Sequence, residues 1–408
     1  MTLNKPLLGA NFFAGDVVGG IGPYLAIYLL SIQHWSPHQI GIALALGSIT
    51  TVIAQTPAGG LIDAVTWKRS VLMFCAVCIA ISTLCIVFFQ SEYVVYGAQI
   101  FIGLASAFLG PGIAAVTLGL VGRENFTRQT SANQAWNHAG NMFAAALAAL
   151  IALKISALGV FWLVAMMAFF MVICVMMIRA SDIDHDVARG GTTAEGEVEQ
   201  EPVGVWVLFE DKRLLVFAIA IVLFHFGNAA MLPLVSQKLS LHSDPEHGIA
   251  FTSACVISAQ LIMILMAIFC GLKADVWGRK PLMLIAFLVL PVRGILFSLS
   301  DDVYFTVAVQ ALDGIANGIF AMLFLLILAD ITAGTGRFNL AQGTLATLVG
   351  VGASASNLLS EYLVEATSYT TTFLFLAGVS GAGLIVFGLF MKETAPHVLK
   401  QQASLNQA

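Results

Sequence analysis

The chain has 408 residues, of which 59% are hydrophobic and 10% charged, and its formal net charge is −5 at pH 7. Soluble domains are about 45–50% apolar, so this composition excludes an ordinary soluble protein and indicates one that lies in a lipid bilayer. The sequence contains no phosphate-binding Walker loop, no nucleophile elbow and no basic nucleic-acid stripe. It therefore argues against an ATP-driven pump, an enzyme or a nucleic-acid partner.

In chain order, twelve mostly apolar runs follow one another, and each is long enough for a membrane-spanning helix, which needs about 20 residues. The runs cover residues 8–31, 38–61, 69–90, 94–121, 130–153, 157–179, 213–237, 248–272, 280–300, 303–330, 338–365 and 370–391. None of them alternates apolar and polar residues as a β-barrel strand does. The sequence therefore predicts an all-α membrane protein with twelve transmembrane helices.

The distribution of basic residues predicts the orientation, because Lys and Arg favour cytoplasmic loops. If both termini are cytoplasmic, all 18 Lys and Arg residues lie on the cytoplasmic side except Lys154, Lys238 and Arg293. Arg293 lies near the outer end of the ninth run, and we expect its side chain to extend outward to the membrane surface. The first run lacks a cleavage-site pattern, so we expect it to remain as a helix.

The longest polar stretch, 181–212, contains a glycine pair and an acidic run, a composition typical of a flexible linker. It divides the chain into a bundle of six helices at 1–180 and a second at 213–392, followed by a cytoplasmic tail at 393–408. The segment "DIDHDVAR" at 182–189 contains possible metal ligands. We interpret it as the solvated start of the linker, with a metal site as the alternative.

An internal repeat supports two homologous halves. "QIFIGLAS" at 99–106 matches "QALDGIAN" at 310–317, and "GIALALGS" at 41–48 matches "GIAFTSAC" at 248–255. The offsets are nearly the same. The sequence therefore predicts two pseudo-symmetric bundles of six helices.

Each half carries a charged motif in the loop between its second and third helices. In the second half, "GLKADVWGRK" resembles the signature loop of the major facilitator superfamily, roughly Gly-x-x-x-Asp-x-x-Gly-Arg-Lys/Arg. The matching residues are Gly271, Asp275, Gly278, Arg279 and Lys280.

The first-half copy, "GGLIDAVTWKR", is less regular, because Thr66 and Trp67 stand where the family prefers Gly and Arg. It keeps Gly59, Asp63, Lys68 and Arg69. Twelve helices in two sets of six extend the resemblance over essentially the whole chain, and the short bacterial members are the most similar in organisation.

The resemblance implies a monomeric secondary transporter of the bacterial inner membrane that works by alternating access and needs no cofactor. It also implies that the motif residues form a latch that closes the cytoplasmic side in one state. In physical terms, we expect Asp275 to accept hydrogen bonds from the amino end of the following helix. The alternative is that these charges only determine topology.

Ionisable groups within the spans are functional candidates, because a charge inside a bilayer is costly. Asp16 lies among glycines in the first span, and Asp313 lies near the middle of the tenth. With His138 and His225 they are our candidates for proton coupling, Asp16 being the first choice. For each acid, the alternative is a hydrogen-bonded carboxyl that fixes helix packing.

Polar side chains at helical spacing predict a substrate cavity, because amides facing lipid are costly. The candidates are Tyr24, Gln134, Asn137, His138, Asn141, His225, Asn228 and Asn317. We predict transport of a small organic solute, such as a drug, a metabolite or a siderophore-like compound, across the lipid bilayer by proton-coupled export. Proton-coupled uptake of a polar metabolite or sugar is the main alternative, favoured by the amide-rich fifth span; divalent-metal transport and a non-transporting receptor are weaker ones. We predict no bound metal.

Overall fold

The computed structural model describes residues 3–19, 25, 28–29, 33–89, 91–154, 158–191, 210–241 and 245–399, and this part of the chain is helical without strands. The helices are α1 Lys5–Gly19, α2 Pro37–Ala64, α3 Lys68–Phe88, α4 Glu92–Lys154, α5 Gly159–Met176, α6 His185–Ala188, α7 Lys212–Ala229, α8 Met231–Leu241, α9 Pro245–Trp277, α10 Arg279–Leu299, α11 Val303–Ile331, α12 Phe338–Ala366 and α13 Tyr369–Phe390. A short 3₁₀ helix, Ala180–Asp182, precedes α6.

Helix ends follow local rules. Ser36 caps α2 through a capping box with Gln39, and Pro37 occupies its first position. The long α4 is broken at Gly122, whose φ of 66° lies in the left-handed region that favours glycine. Its two arms, 92–121 and 123–154, contain the fourth and fifth predicted spans.

The twelve-helix fold predicted from the apolar runs is confirmed. Within the described residues, nine helices are long and apolar enough to cross a membrane, and α4 with its two arms is one of the nine. The predicted first run extends past Gly19, the end of α1, into residues that are mostly outside the described part. The chain is therefore a multi-pass membrane protein.

By their contacts, the residues form two units. Unit 1 comprises Met1–Val203 with Thr332–Thr347, and unit 2 comprises Gly204–Ile331 with Leu348–Ala408. The first turns of α12 thus belong to unit 1, although they come from the second half of the sequence.

The two units repeat one packing pattern. In unit 1, α1 and α3 both pack on α5, and α2 packs on α4; in unit 2, α7 and α10 both pack on α13, and α9 packs on α11. The repeat extends to single glycines. A Cβ on Gly103 would lie 2.4 Å from the carbonyl oxygen of Gly47, and one on Gly314 would lie 2.5 Å from that of Ala259. Gly103 and Gly314 are corresponding positions of the internal repeat, so the predicted pseudo-symmetry extends to a close glycine contact in each unit.

Candidate functional site

In unit 1, the first-half motif contacts the amino end of α12. The buried Asp63 carboxylate accepts bonds from the N–H groups of Asn339 and Leu340, at 3.2 and 2.7 Å, and from the Asn339 side-chain amide at 2.8 Å. The first N–H groups of a helix have no partners within the helix and carry a partial positive charge. A carboxylate satisfies both needs, so Asp63 is a charged cap for α12.

The start of the linker completes this cap. The carbonyl of Arg189 accepts from the Phe338 N–H at 3.0 Å, and that of Ala188 accepts from the Asn339 side chain at 3.0 Å. The Gly190 carbonyl accepts from the Gly334 N–H at 2.7 Å. The sequence predicts a flexible linker here, but residues 184–191 are packed. The difference arises because these carbonyls accept hydrogen bonds from Gly334, Phe338 and Asn339, which are distant in the sequence.

Below this cap, α2 and the first turns of α12 meet along a seam of small and polar groups. A Cβ on Gly59 would lie 2.0 Å from the Asn339 carbonyl oxygen, and one on Gly343 would lie 2.0 Å from that of Gln55. The Thr347 hydroxyl donates to the Val52 carbonyl at 3.0 Å. We call this contact, between residues 52–63 and 338–347, the α2–α12 seam. Its glycines allow the two backbones to touch.

The basic residues of the first-half motif lie beside this cap. Lys68 is buried, and its ammonium donates to the Val65 carbonyl at 2.5 Å. The Arg69 guanidinium donates to the Ile178 carbonyl, next to the end of α5. Both side chains therefore satisfy carbonyls at helix ends, as basic groups commonly do.

In unit 2, the second-half motif forms a different network. Arg279, which is buried, donates to Asp275 at 2.7 Å and to Asp330 at 3.2 Å. The N–H groups of Arg279 and Lys280 donate to Glu393, at 2.8 and 3.1 Å. The sequence assigned the capping of α10 to Asp275, whereas Glu393 accepts these backbone bonds and Asp275 pairs with the Arg279 side chain. Sequence reasoning missed Glu393.

The glycines of this second motif differ in their surroundings. Gly278 has a φ of 94°, and a Cβ there would lie 2.3 Å from a Glu393 carboxylate oxygen. Gly271 lies within α9, half-buried. The left-handed backbone at Gly278 is what brings the amino end of α10 onto Glu393.

The amide-rich face of the second arm of α4 lies against α1. The Asn137 amide donates to the Asn11 carbonyl at 3.1 Å, and the Asn141 amide donates to the Asn137 carbonyl at 3.2 Å. A Cβ on Gly140 would lie 1.8 Å from the Phe12 carbonyl oxygen. Gln134 is half-buried on the same arm. Part of this face is thus a polar helix contact.

The first-choice acid lies close to that contact along α1. A Cβ on Gly15 would lie 2.6 Å from the Asn137 carbonyl oxygen and 3.0 Å from the Asn141 nitrogen. Asp16 follows Gly15 in α1, and its side chain lies outside what the structure describes. Tyr24, a candidate for the cavity, also lies outside the described residues.

A buried polar chain that sequence reasoning missed lies one turn earlier on the same arm. The Gln129 amide donates to Asn133 at 3.0 Å, and Asn133 donates to the Thr117 hydroxyl at 3.0 Å. The spacing of four residues between Gln129 and Asn133 was the available signal.

The polar candidates of unit 2 converge on a buried arginine. Arg293 is 0% exposed and donates to Asp313 at 2.6 Å, to Asn228 at 2.5 Å and to Gln310 at 3.0 Å. Asn317 also donates to Asp313, at 2.8 Å. The expectation that Arg293 extends outward is wrong, because acceptors on α7 and α11 hold its guanidinium inside the unit.

The two candidate histidines occupy different settings. His225 Nδ1 donates to the Ile221 carbonyl at 3.1 Å, and its ring packs edge-on against Phe320 at 4.6 Å between centroids. His138 is buried in the second arm of α4. Among the described residues, no group of three or more His, Cys, Asp or Glu side chains is arranged to hold a metal ion.

Comparison with known proteins decides the family. The family model for the Major Facilitator Superfamily matches residues 7–259 and 217–406, which together span nearly the whole chain. The chain belongs to the major facilitator superfamily. The resemblance inferred from the charged motifs is confirmed.

Relatives and solved structures agree with this assignment. The uncharacterized MFS-type transporter Rv2456c of Mycobacterium tuberculosis strain H37Rv is 42% identical over 384 residues, covering 94% of this chain and 92% of the relative. The MFS-type transporter YuxJ of Bacillus subtilis strain 168 is 22% identical over 389 residues, covering 90% and 94%.

Among solved structures, the major facilitator proton:xylose symporter XylE aligns with a TM-score of 0.70 at 14% identity, covering 95% of each chain. The human organic anion transporter MFSD10 aligns with a TM-score of 0.68 at 14% identity, covering 95% of this chain and all of the other. At this identity, the likeness shows a shared major facilitator fold. This chain is therefore a major facilitator superfamily transporter.

Proposed function

We propose that this transporter moves a small organic solute across the bacterial inner membrane by proton-coupled alternating access, as a monomer with both termini cytoplasmic. We assign export as its direction. Proton coupling is supported by Asp313, whose carboxylate lies within a membrane-spanning helix. One of its oxygens is held by two donors, while its side chain remains 13% exposed. An intramembrane acid of this kind is a functional candidate by default.

Asp16, the first choice from the sequence, is also proposed as a coupling acid. It lies on α1 next to Gly15, the glycine that touches Asn137 and Asn141, and an acid within a membrane-spanning segment is a functional candidate. The cavity candidates Asn137, Asn141 and Gln134 are each partly exposed along this arm. We propose that their exposed edges contact the solute.

The charged motifs are proposed to act as the latch of the cytoplasmic side. Asp63 and the carbonyls at 188–190 hold the amino end of α12 in unit 1. Opening toward the cytoplasm then requires these bonds to break. Because they are polar and lie at helix ends, water can replace each of them.

Flux into inside-out vesicles with an imposed pH gradient tests coupling and direction together. A panel of radiolabelled drugs, sugars and organic acids is compared between the wild type, Asp16→Asn and Asp313→Asn. For a coupling acid, we expect loss of gradient-driven accumulation with retention of solute exchange at zero gradient, because exchange needs no net proton movement.

Glu365→Gln is the matched control, since Glu365 is an exposed acid near the end of α12. It is expected to keep both activities. Accumulation only in right-side-out vesicles would replace export by uptake, and gradient-independent flux of every solute would contradict proton coupling.

A further inference from the structure

The buried guanidinium of Arg293 has unused hydrogen-bonding capacity. Its Nη1 donates to Asn228 and Asp313, and its Nη2 donates to Gln310. Its Nε has no acceptor among the described residues, although the atom is buried. The Nε2 amide of Gln310, also buried, lacks an acceptor in the same part of the chain.

Such orphaned donors are uncommon, because leaving a buried donor unsatisfied costs about 1–3 kcal/mol. Gln310 joins the guanidinium through its Oε1, so its Nε2 lies within the same cluster. Both missing partners are acceptors. The cluster therefore offers two free donors to a ligand whose oxygen atoms accept hydrogen bonds.

The same cluster has an accessible side. Asp313 accepts the bonds from Arg293 and Asn317 on Oδ1, and no hydrogen bond from the described residues reaches Oδ2. Asn228 and Asn317 are partly exposed beside it. Phe297 provides an apolar wall, its ring centroid 5.3 Å from the guanidinium carbon.

Charge balance limits what this site can hold. Among the described residues, Arg293 has electrostatic contact with Asp313 on α11 and Cys255 on α9. His225 on α7 is bonded to the Ile221 carbonyl, and Lys238 on α8 pairs with Asp301 at 2.5 Å. One guanidinium in a dry environment supports one negative charge. A second anion is accommodated only if the Asp313 carboxylate becomes neutral.

We propose that Arg293 anchors the carboxylate of a small organic monoanion, which replaces Asp313 beside the guanidinium while Asp313 takes up one proton from the solution onto its open oxygen. This inference rests on the proposed proton-coupled transport, names its substrate class, and favours uptake over export as the direction. A carboxylate fits because a guanidinium presents paired donors to two oxygens in one plane. A singly charged anion fits because protonation of Asp313 removes a single negative charge from the site.

The exchange places the anion and the proton in the site together, so it moves both in the same direction. At this site an inward proton gradient drives uptake of the anion, the main alternative to export. The loaded site contains Arg293, a protonated Asp313 and the anion, and its net charge equals that of the empty site. Since binding takes up one proton, the apparent affinity for the anion falls as pH rises, by at most about tenfold per pH unit.

The test uses the purified full chain and matched acid and amide probes: benzoate with benzamide, and nicotinate with nicotinamide. Thermal unfolding is followed as each probe is titrated at several pH values. We expect at least one acid to stabilise the wild type where its amide does not, with weaker binding at higher pH. Asp313→Asn is expected to bind that acid at least about tenfold more tightly and without pH dependence, because the competing charge is gone.

Arg293→Gln leaves Asp313 unpaired, so the double variant Arg293→Gln with Asp313→Asn is the folding-competent form in which acid binding is expected to disappear. Lys238→Gln is the matched control, since it removes another buried cation of unit 2 whose ammonium contacts, among the described residues, the backbone carbonyls of Phe297 and Ser300 and none of the polar side chains around Arg293. It is expected to keep acid binding.

Equal effects of acids and amides, persistence of acid binding in the double variant, or weaker binding in Asp313→Asn would each overturn the inference. The binding assay is independent of flux. Arg293-dependent acid binding without gradient-driven transport would contradict the proposed coupling and leave this site standing. Coupled transport of neutral solutes alone, without acid binding, would support the proposed coupling and contradict this site.

Discussion

The carboxylate of Asp63 lies 2.7 Å from the backbone nitrogen of Leu340, although 277 positions separate the two residues. With the bond from the Asn339 N–H, this places a negative charge on the first turn of α12. Such an arrangement stabilises the helix end by about 0.3–1 kcal/mol through the dipole alone, and by up to about 2 kcal/mol when it is partly buried. The same contact connects the first-half motif to a helix encoded in the second half.

Two adjacent glycines of α2 provide a sharp test of the α2–α12 seam. Gly59→Ala places a methyl group about where the Asn339 carbonyl now lies, at 2.0 Å, whereas the nearest atom to a Cβ on Gly60 is a flexible Leu340 methyl at 3.4 Å. We expect Gly59→Ala to reduce the free energy of unfolding by about 1–3 kcal/mol and to impair flux, as overpacking does. Gly60→Ala is the control and should resemble the wild type in thermal unfolding. Equal effects of the two changes would show that the close approach at Gly59 is not needed.

Capping of α10 depends on Glu393. Glu393→Gln removes a charge that accepts bonds from the N–H groups of Arg279 and Lys280. We expect a loss of stability of about 0.5–2 kcal/mol, in the range of a lost helix cap. Lys392→Gln changes the exposed neighbour and is expected to be neutral. A wild-type unfolding temperature for Glu393→Gln would mean that Asp275 and Asp330 hold this end without it.

The contact between α1 and α4 has its own matched pair. Gly140→Ala would drive a methyl group into the Phe12 carbonyl at 1.8 Å, while a Cβ on Gly97 meets nothing within 4 Å. We expect Gly140→Ala to destabilise unit 1 by about 1–3 kcal/mol. Gly97→Ala, on the first arm of α4, is expected to stabilise it by up to about 1 kcal/mol, because alanine is the better helix former. Thermal unfolding of both variants in one detergent gives the comparison, and a destabilising Gly97→Ala would contradict it.

The packed linker start is expected to respond to pH. Burial, together with repulsion from Lys68, holds the pKa of His185 below its ordinary value of about 6.5. The folded segment therefore binds a proton less readily than the open segment does. Its stability is full at higher pH and is lost as the pH falls through that ordinary value.

Hydrogen exchange of the amides at 184–191 measures this response. At each pH the wild type is compared with His185→Gln, which cancels the intrinsic pH dependence of exchange. We expect wild-type protection to fall relative to the variant between about pH 7.5 and pH 5.5. A constant ratio across this range would show that His185 does not titrate against the packing.

Apolar run length was sufficient to predict the helices, because each span must satisfy its own backbone in lipid and therefore leaves a long uniform signal. The motif around Asp275 was sufficient to predict the family. Position along a helix was not sufficient for Arg293, since its acceptors come from α7 and α11 and only the packed unit brings them together. Glu393 and the carbonyls at 188–190 were missed for the same reason, because their partners lie 113 to 151 residues away in the sequence.

The composition of the α2–α12 seam has a consequence for its reversibility. Close backbone approaches at glycines, and hydrogen bonds of threonine hydroxyls, amides and carbonyls, join residues 52–63 of α2 to residues 338–347 of α12. Separating such groups allows water to hydrogen-bond to them and exposes little apolar surface to water. Water can therefore enter this seam at low free-energy cost, which is the property that the proposed latch requires of a contact that breaks and re-forms.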